Sequence, residues 1–484
     1  MSSILLDTHL LLWALSDPKK LSAATRKRID AAEVFVSAAH MVWLAPFSFG
    51  TFFNMNQKIL LACVMALIQL AVALRATASS PEELDAVYRA TLRPFAGESV
   101  REIDTSSLTG KVMCGYQGWF NAEGDGAGRD YHHWTRHAGR PKVGNIKVDL
   151  WPDLSEYGPD ERFPTDLRRA DGTPAEVFSS FLKPTVLRHF QWMHDYSIDG
   201  VFVQRFVTPL RDAQSLRHNN TVLDHCRSGA NAFGRAYAVM YDLSGMGPNQ
   251  MGEVMADWRQ LRSRMRVTDD PAYLQHRGKP VVVVWGVGFK KDRAYTVAEC
   301  GPLVDFLKTD GCTVMLGVPT GWRELTRDSD SDPILHEVIG RADIISPWTV
   351  GRYQTPAEAE AHGKNYWQPD IAWCHERGLE YLPVVFPGFS WFNMKDAAFD
   401  KVPRLGGKFY WSQFVAAKQA GAEMLYVAMF DEVDEATAIF KCTSDVPVAP
   451  PNKFITYEGL PADHYLKLTA LGARLLRGEA VEFP

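Results

Sequence analysis

From residue 111 onward, short apolar runs recur eight times, at 111–120, 200–207, 236–244, 280–289, 312–319, 342–351, 381–391 and 423–432. They are rich in β-branched and aromatic residues, as strands are. Helical patterns separate most of them, among them QMGEVMADWRQLRSRM, AEAEAHGKNYWQPDIAWCHERG and FYWSQFVAAKQAGA. Strand–helix alternation predicts a parallel sheet, and eight such units predict a closed (β/α)8 barrel of the TIM type, fold class α/β. An open doubly wound sheet is the rival, but no glycine-rich fingerprint opens a helix after the first strand. The stretch 121–199 is a long insertion between strands one and two, placed to drape over the barrel mouth.

Three unlike pieces precede the barrel. MNQKILLACVMALIQLAVALRATASS (Met55–Ser80) has one Lys, then an apolar run from Ile59 to Leu74 broken only by Gln69, then Ala76-Thr77-Ala78. That is the layout of a secretory signal peptide with an A-x-A cleavage site. The run is shorter than the ~20 residues of a membrane span. The expectation is a secreted or periplasmic protein that starts biologically at Met55 and matures near Ser79, without stable membrane insertion. Anchorage by residues 59–74 is the alternative. Upstream, ILLDTHLLLWALSDPKKLSAATRKRIDAAEVFVSAA resembles the opening of PIN-domain toxin nucleases, with Asp7 at a strand end. A lone Asp cannot hold a catalytic Mg²⁺, so residues 1–40 are read as a non-functional fragment. Residues 79–105 form a helix and linker, with Ser80 as N-cap and Pro81 at N1. The barrel domain takes 106–484.

The formal charge is −5, and no Lys/Arg run suggests nucleic acid. Seven cysteines show no CxxC spacing, against a zinc module. Cys114 and Cys312 fall in strands as small buried hydrophobes, while a pair such as Cys300 and Cys312 could bridge in an oxidising compartment. Fourteen Trp serve either a large core or the stacking of sugar rings.

The last strand, LYVAMFDEVDEATAIF, runs into Asp431, Glu432, Asp434 and Glu435. Acids this close repel each other unless water, a cation or a substrate relieves them. Barrel enzymes gather catalytic groups at the C-terminal strand ends, and two carboxyl groups, one protonated and one ionised, are what glycoside hydrolysis requires. Glu432 and Glu435 are the candidate pair, with Asp431 and Asp434 turned towards loops, caps or backbone amides. Other strand ends offer Gln204, Arg205, Asp242, Trp285, Trp348 and Trp391 as candidate substrate-binding groups. Tyr116 and Trp119 would form a pocket floor or pack. Arg205, costly to bury unpaired, would otherwise meet an acid. His132, His133, Asp149 and Asp153 match no metal-site spacing, so neither metal nor cofactor is expected.

The motifs GYQGWF, VDLWPDLSEY, GVFVQRF, MYDLSG, ISPWTVGRY, PGFSWFN and MFDEVDEATAIFK resemble relatives of glycoside hydrolase families 71 and 99 over roughly residues 108–475. Family 99 endo-α-mannosidases end their last strand in Asn-Glu-Trp-His-Glu-Gly-Thr, and FDEVDEAT has the same Glu-x-x-Glu-x-Thr frame. The resemblance implies a glycan substrate and a retaining mechanism through a 1,2-anhydro sugar. It makes Glu432 the base on the sugar 2-hydroxyl and Glu435 the acid/base at the leaving oxygen. Trp-His is Val433-Asp434 here and Gly is Ala436, so mannose specificity is not carried over. A catalytically silent carbohydrate-binding barrel remains the alternative.

Overall fold

The computed structural model describes residues 79–100 and 103–484, with the backbone of two short strands, Ser3–Leu5 and Glu33–Phe35, which pair in parallel. The rest of the PIN-like fragment, including Asp7, and the signal-like segment 55–78 lie outside the described residues. The chain divides into units Met1–Ser80 and Pro81–Pro484, and the second holds the barrel. Among the described residues no helix is long and apolar enough to cross a membrane.

All eight expected strands form, in one curled parallel sheet. They are β1 (Val112–Tyr116), β2 (Gly200–Phe206), β3 (Ala236–Asp242), β4 (Lys279–Trp285), β5 (Thr313–Val318), β6 (Ile344–Pro347), β7 and β8 (Leu425–Val427). Consecutive strands pair from β1 to β6, and β8 pairs β1. β7 is interrupted. Its first half, Glu380–Tyr381, pairs β6, and its second half, Val384–Val385, pairs β8. Pro383 lies at the break and has no N–H to give the ladder. The two ends of the sheet are therefore halves of one strand, which closes the ring.

Every residue of β1, β3, β5 and β6 is buried. That is why these strands read as unbroken apolar runs: helices cover one face and the barrel interior the other. Each fully buried Val of the Val281–Val284 run contributes about 1.5–3 kcal/mol. Two glycines make room inside the ring. A Cβ on Gly115 would stand 2.3 Å from the Tyr426 hydroxyl, and one on Gly317 2.3 Å from the Trp285 ring. Those two aromatic side chains can enter the barrel only because β1 and β5 present no side chain there.

The covering helices follow the strands in order. After α1 (Pro81–Thr91) come α2 (Lys183–Asp195), α3 (Ala213–Phe233), α4 (Met251–Gln260), α5 (Val297–Thr309) and α6 (Ile334–Ile339). Next, α7 (Pro356–His362) continues through a π turn into α8 (Gln368–Glu376), followed by α9 (Lys408–Ala420) and α10 (His464–Leu476). The six described cysteines are buried and free, Cys300 and Cys312 included. A bridge between that pair does not form.

One buried ionic centre ties α1 to the barrel wall. Arg205 on β2 and Tyr241 on β3 are register partners, and both point outward. Asp257 on α4 accepts from Arg205 Nε and Nη2, each at 2.6 Å, and from the Tyr241 hydroxyl at 2.6 Å. The Tyr88 hydroxyl on α1 donates to the same carboxylate at 2.7 Å. Four donors thus compensate one carboxylate in a dry setting. We expect Asp257→Ala to cost about 3–5 kcal/mol in urea unfolding, because it leaves a buried guanidinium without its counter-charge.

Candidate active site

Inward and outward side chains alternate along each strand, and this parity sorts the candidates. On β2, Gln204 and Phe206 face the interior; on β3, Met240 and Asp242 do; β4 ends inward at Trp285. A cavity of about 640 Å³ opens at these C-terminal strand ends. It is lined by Gln204, Asp242, Trp285, Trp348, Trp391, Trp119, Glu432 and Glu435.

Two candidates lie elsewhere. Arg205 points out of the ring to Asp257, so it is a wall ion pair and not a substrate contact. Tyr116 also points outward, and its hydroxyl meets His189 Nδ1 on α2 at 2.8 Å. Gly115 takes the inward position before it and Gln117 the inward position after it. Gln117 is a cavity-lining partner of Glu432 that sequence reasoning missed. The signal was a glycine within a strand, which marks a close approach and fixes the parity of its neighbours.

After β8 the chain turns over the mouth and the four acids separate. Asp431 is fully buried, and its two oxygens accept from the backbone N–H groups of Gln117 (2.7 Å) and Gly118 (2.8 Å) beyond β1. Burial raises its pKa to about 7 against the pull of those amides. Asp434 is also fully buried. It meets His133 Nδ1 at 2.9 Å and lies 3.6 Å from Lys147 Nζ. Burial raises it to about 6, and Lys147 lowers it. Neither Asp lines the cavity.

Glu432 and Glu435 do. Glu432 accepts from Gln117 Nε2 at 2.6 Å on one oxygen and from Thr437 Oγ1 at 2.5 Å on the other. Burial, then the charges of Glu435 and Asp434, push its pKa well up, while those two donors pull it down. Glu435 is raised to about 7 by burial and next by Asp434, with the Trp391 side chain, Lys147 and Lys395 acting the other way. Asp242 is raised to about 6 by burial, although the Ser244 N–H donates to it at 2.7 Å.

The insertion holds this arrangement in place. The backbone N–H groups of Asp149 and Leu150 donate to the Val433 carbonyl at 3.0 and 3.1 Å. The Asp149 carboxylate accepts from Phe392 and Asn393 N–H, each at 2.8 Å, and so fastens the loop that carries Trp391. His133 stacks on Trp119 with centroids 3.8 Å apart and planes 6° off parallel. Burial and nearby Lys147 hold its pKa well below the usual value, so it is neutral. The quartet His132, His133, Asp149 and Asp153 does not converge, and among the described residues no three such side chains form a candidate metal centre.

The fold and this cavity define a (β/α)8 barrel with a pair of glutamates at the end of its last strand. Among solved structures the chain is similar to the family 99 glycoside hydrolase endo-α-mannosidase of Bacteroides thetaiotaomicron, with a TM-score of 0.54 at 16% identity. The match covers 77% of this chain and 98% of that one. A second structure of the same enzyme gives a TM-score of 0.53 at 15% identity, over 77% and 99% of the two chains. The likeness establishes a shared fold. No protein-family model matches the sequence, and no curated protein matches it.

The raised pKa of Glu435 makes a stability prediction with a definite sign. Between its ordinary value of 4.5 and about 7, the folded chain holds a proton that the unfolded chain releases. Stability therefore falls as pH rises through that window. Glu435→Gln removes the effect. Its Tm relative to wild type should increase from pH 4.5 to pH 7 and level off above, as read by differential scanning calorimetry.

Proposed function

We propose that this protein is a glycoside hydrolase that cleaves an α-linked glycan with retention, using Glu432 and Glu435. The observation that carries the proposal is the placement of both carboxyls on one cavity at the barrel mouth, each with its pKa raised by burial. Close, buried carboxyls titrate as a pair and share a proton near neutrality. The reaction needs Glu432 ionised and the shared proton on Glu435, and the two donors on Glu432 act in that direction, against the burial that raises it.

In that state each group suits one role. Glu435 protonates the leaving glycosidic oxygen and Glu432 draws the proton from the sugar 2-hydroxyl, whose oxygen then attacks the anomeric carbon. Water opens the resulting 1,2-anhydro sugar, with Glu435 now acting as base and Glu432 returning its proton. Gln117 fixes the Glu432 carboxylate by its side-chain amide and anchors the backbone turn through Asp431. Trp119, Trp285, Trp348 and Trp391 give aromatic faces against which pyranose rings stack, and Asp242 accepts from a sugar hydroxyl. Endo-α-mannosidase action, the activity of the structurally similar enzymes, belongs to the same reaction class. Val433 and Asp434 replace the Trp-His of that family's motif, so the sugar itself is left to a substrate screen. Residues 55–78 are proposed as the export signal that delivers the 79–484 portion to a glycan outside the cytoplasm.

The test is turnover of α-linked aryl glycosides and polysaccharides with reducing-end analysis. We expect Glu435→Gln to lower kcat/KM by about 10²–10⁴ on substrates whose leaving group needs a proton, and least on activated aryl glycosides. Glu432→Gln should abolish turnover whatever the leaving group. Glycan binding without turnover by wild type would instead identify a silent carbohydrate-binding barrel.

A further inference from the structure

The part of the mouth formed by the loops after β4 to β7 carries a charge that the acid pair does not need. Lys290, Lys291 and Arg293 follow β4, Arg327 follows β5, Arg352 follows β6 and Lys401 follows β7; all six line the cavity. In the same loops only two lining carboxylates oppose them among the described residues, Asp292 and Asp328. Asp328 is committed to Arg352 at 2.8 Å. The other cations lie over aromatic rings or extend into solvent. The Arg293 guanidinium sits 5.3 Å from the Trp285 ring centroid and 5.2 Å from that of Phe289. Its Nε is buried without a hydrogen-bond partner, and its Nη1 donates to the Asp292 carbonyl at 2.9 Å. Lys290 and Lys291 are exposed.

This arc is not a sample of a basic surface, since the whole chain has a net charge of −5. Concentrating unpaired cations at the rim of a concave site raises the local concentration of anions and orients them on entry. Arg293 adds geometry to charge. It is held against Trp285, which itself faces the cavity. A ring stacked near Trp285 would therefore bring its substituents to a guanidinium, a group suited to charge-assisted hydrogen bonds with anions. We propose that the substrate is an anionic glycan, with sulfate, phosphate or uronate groups on sugars distal to the scissile bond, read by the arc Lys290, Lys291, Arg293, Arg327 and Lys401. The inference rests on the glycosidase reading of the cavity and specifies its substrate class.

The test is binding, by affinity electrophoresis and calorimetry, of the full chain to a sulfated α-glycan, to its chemically desulfated counterpart and to a uronate-bearing α-glycan. Wild type should bind the charged forms at least ~10-fold more tightly than the neutral one at low ionic strength, with the preference shrinking as salt screens it. The triple variant Lys290→Gln, Lys291→Gln, Arg327→Gln should lose most of that ratio. A matched control in which Lys183, Lys364 and Lys467, exposed and outside the cavity, become Gln should keep it. Should the triple variant not fold, Arg293→Gln and the salt dependence of wild type read the same preference. Equal affinity for charged and neutral forms, or a preference that survives the triple variant, overturns the inference and leaves the glycosidase reading intact. Failure to bind or cleave any α-glycan overturns both.

Discussion

Placing carboxylates in a buried segment is the constraint around which this barrel is organised. Three of the four acids after β8 are all but inaccessible to solvent, and each such group costs several kcal/mol unless donors reach it. Most of the donors come from elsewhere in the chain. Gln117 and Gly118, beyond β1, satisfy Asp431; Gln117 and Thr437 satisfy Glu432; His133 and Lys147 of the insertion flank Asp434. The ends of the first and last strands are thus tied together by the hydrogen bonds that order the acidic segment.

The insertion has a matching logic. It is anchored below by its own apolar contacts, such as Trp134 against Phe178, an edge contact with centroids 5.1 Å apart. Above, Asp149 and Leu150 hold the Val433 carbonyl, and Asp149 holds the loop after β7. Its polar residues work on the acidic segment from behind, while Trp119 carries its influence to the cavity surface through the stack with His133. The mouth therefore has a densely hydrogen-bonded acidic side at β8 and β1 and a cationic side after β4 to β7.

The strands were legible because parallel strands, covered on both faces, must be apolar throughout. The side each residue faces was less so. Arg205 and Tyr116 sit one position away from cavity residues, and a single step of parity moved each into the wall. Gln117 was hidden for the same reason, although Gly115 within the strand carried the clue. The interruption of β7 left its trace as Pro383 within the run 381–391, but the apolar pattern does not record that the ladder passes there from one neighbour to the other. That Glu432 and Glu435 can face one cavity was legible from their spacing at the strand end. The Lys147–His133–Asp434 cluster was not, since His133 and Asp434 lie 301 residues apart and nothing local announces the contact.

The pairing of β1 with β8 also has a consequence for the order in which the molecule is made. β1 is synthesised first of the ring, yet one of its edges waits until Leu425–Val427 has emerged. Contacts so distant in sequence form late, because the loop entropy must be overcome before they yield any return. The residues that fill that last gap lead directly into Glu432 and Glu435. A nascent chain that has not yet reached Glu435 consequently has neither a closed ring nor an assembled acid pair.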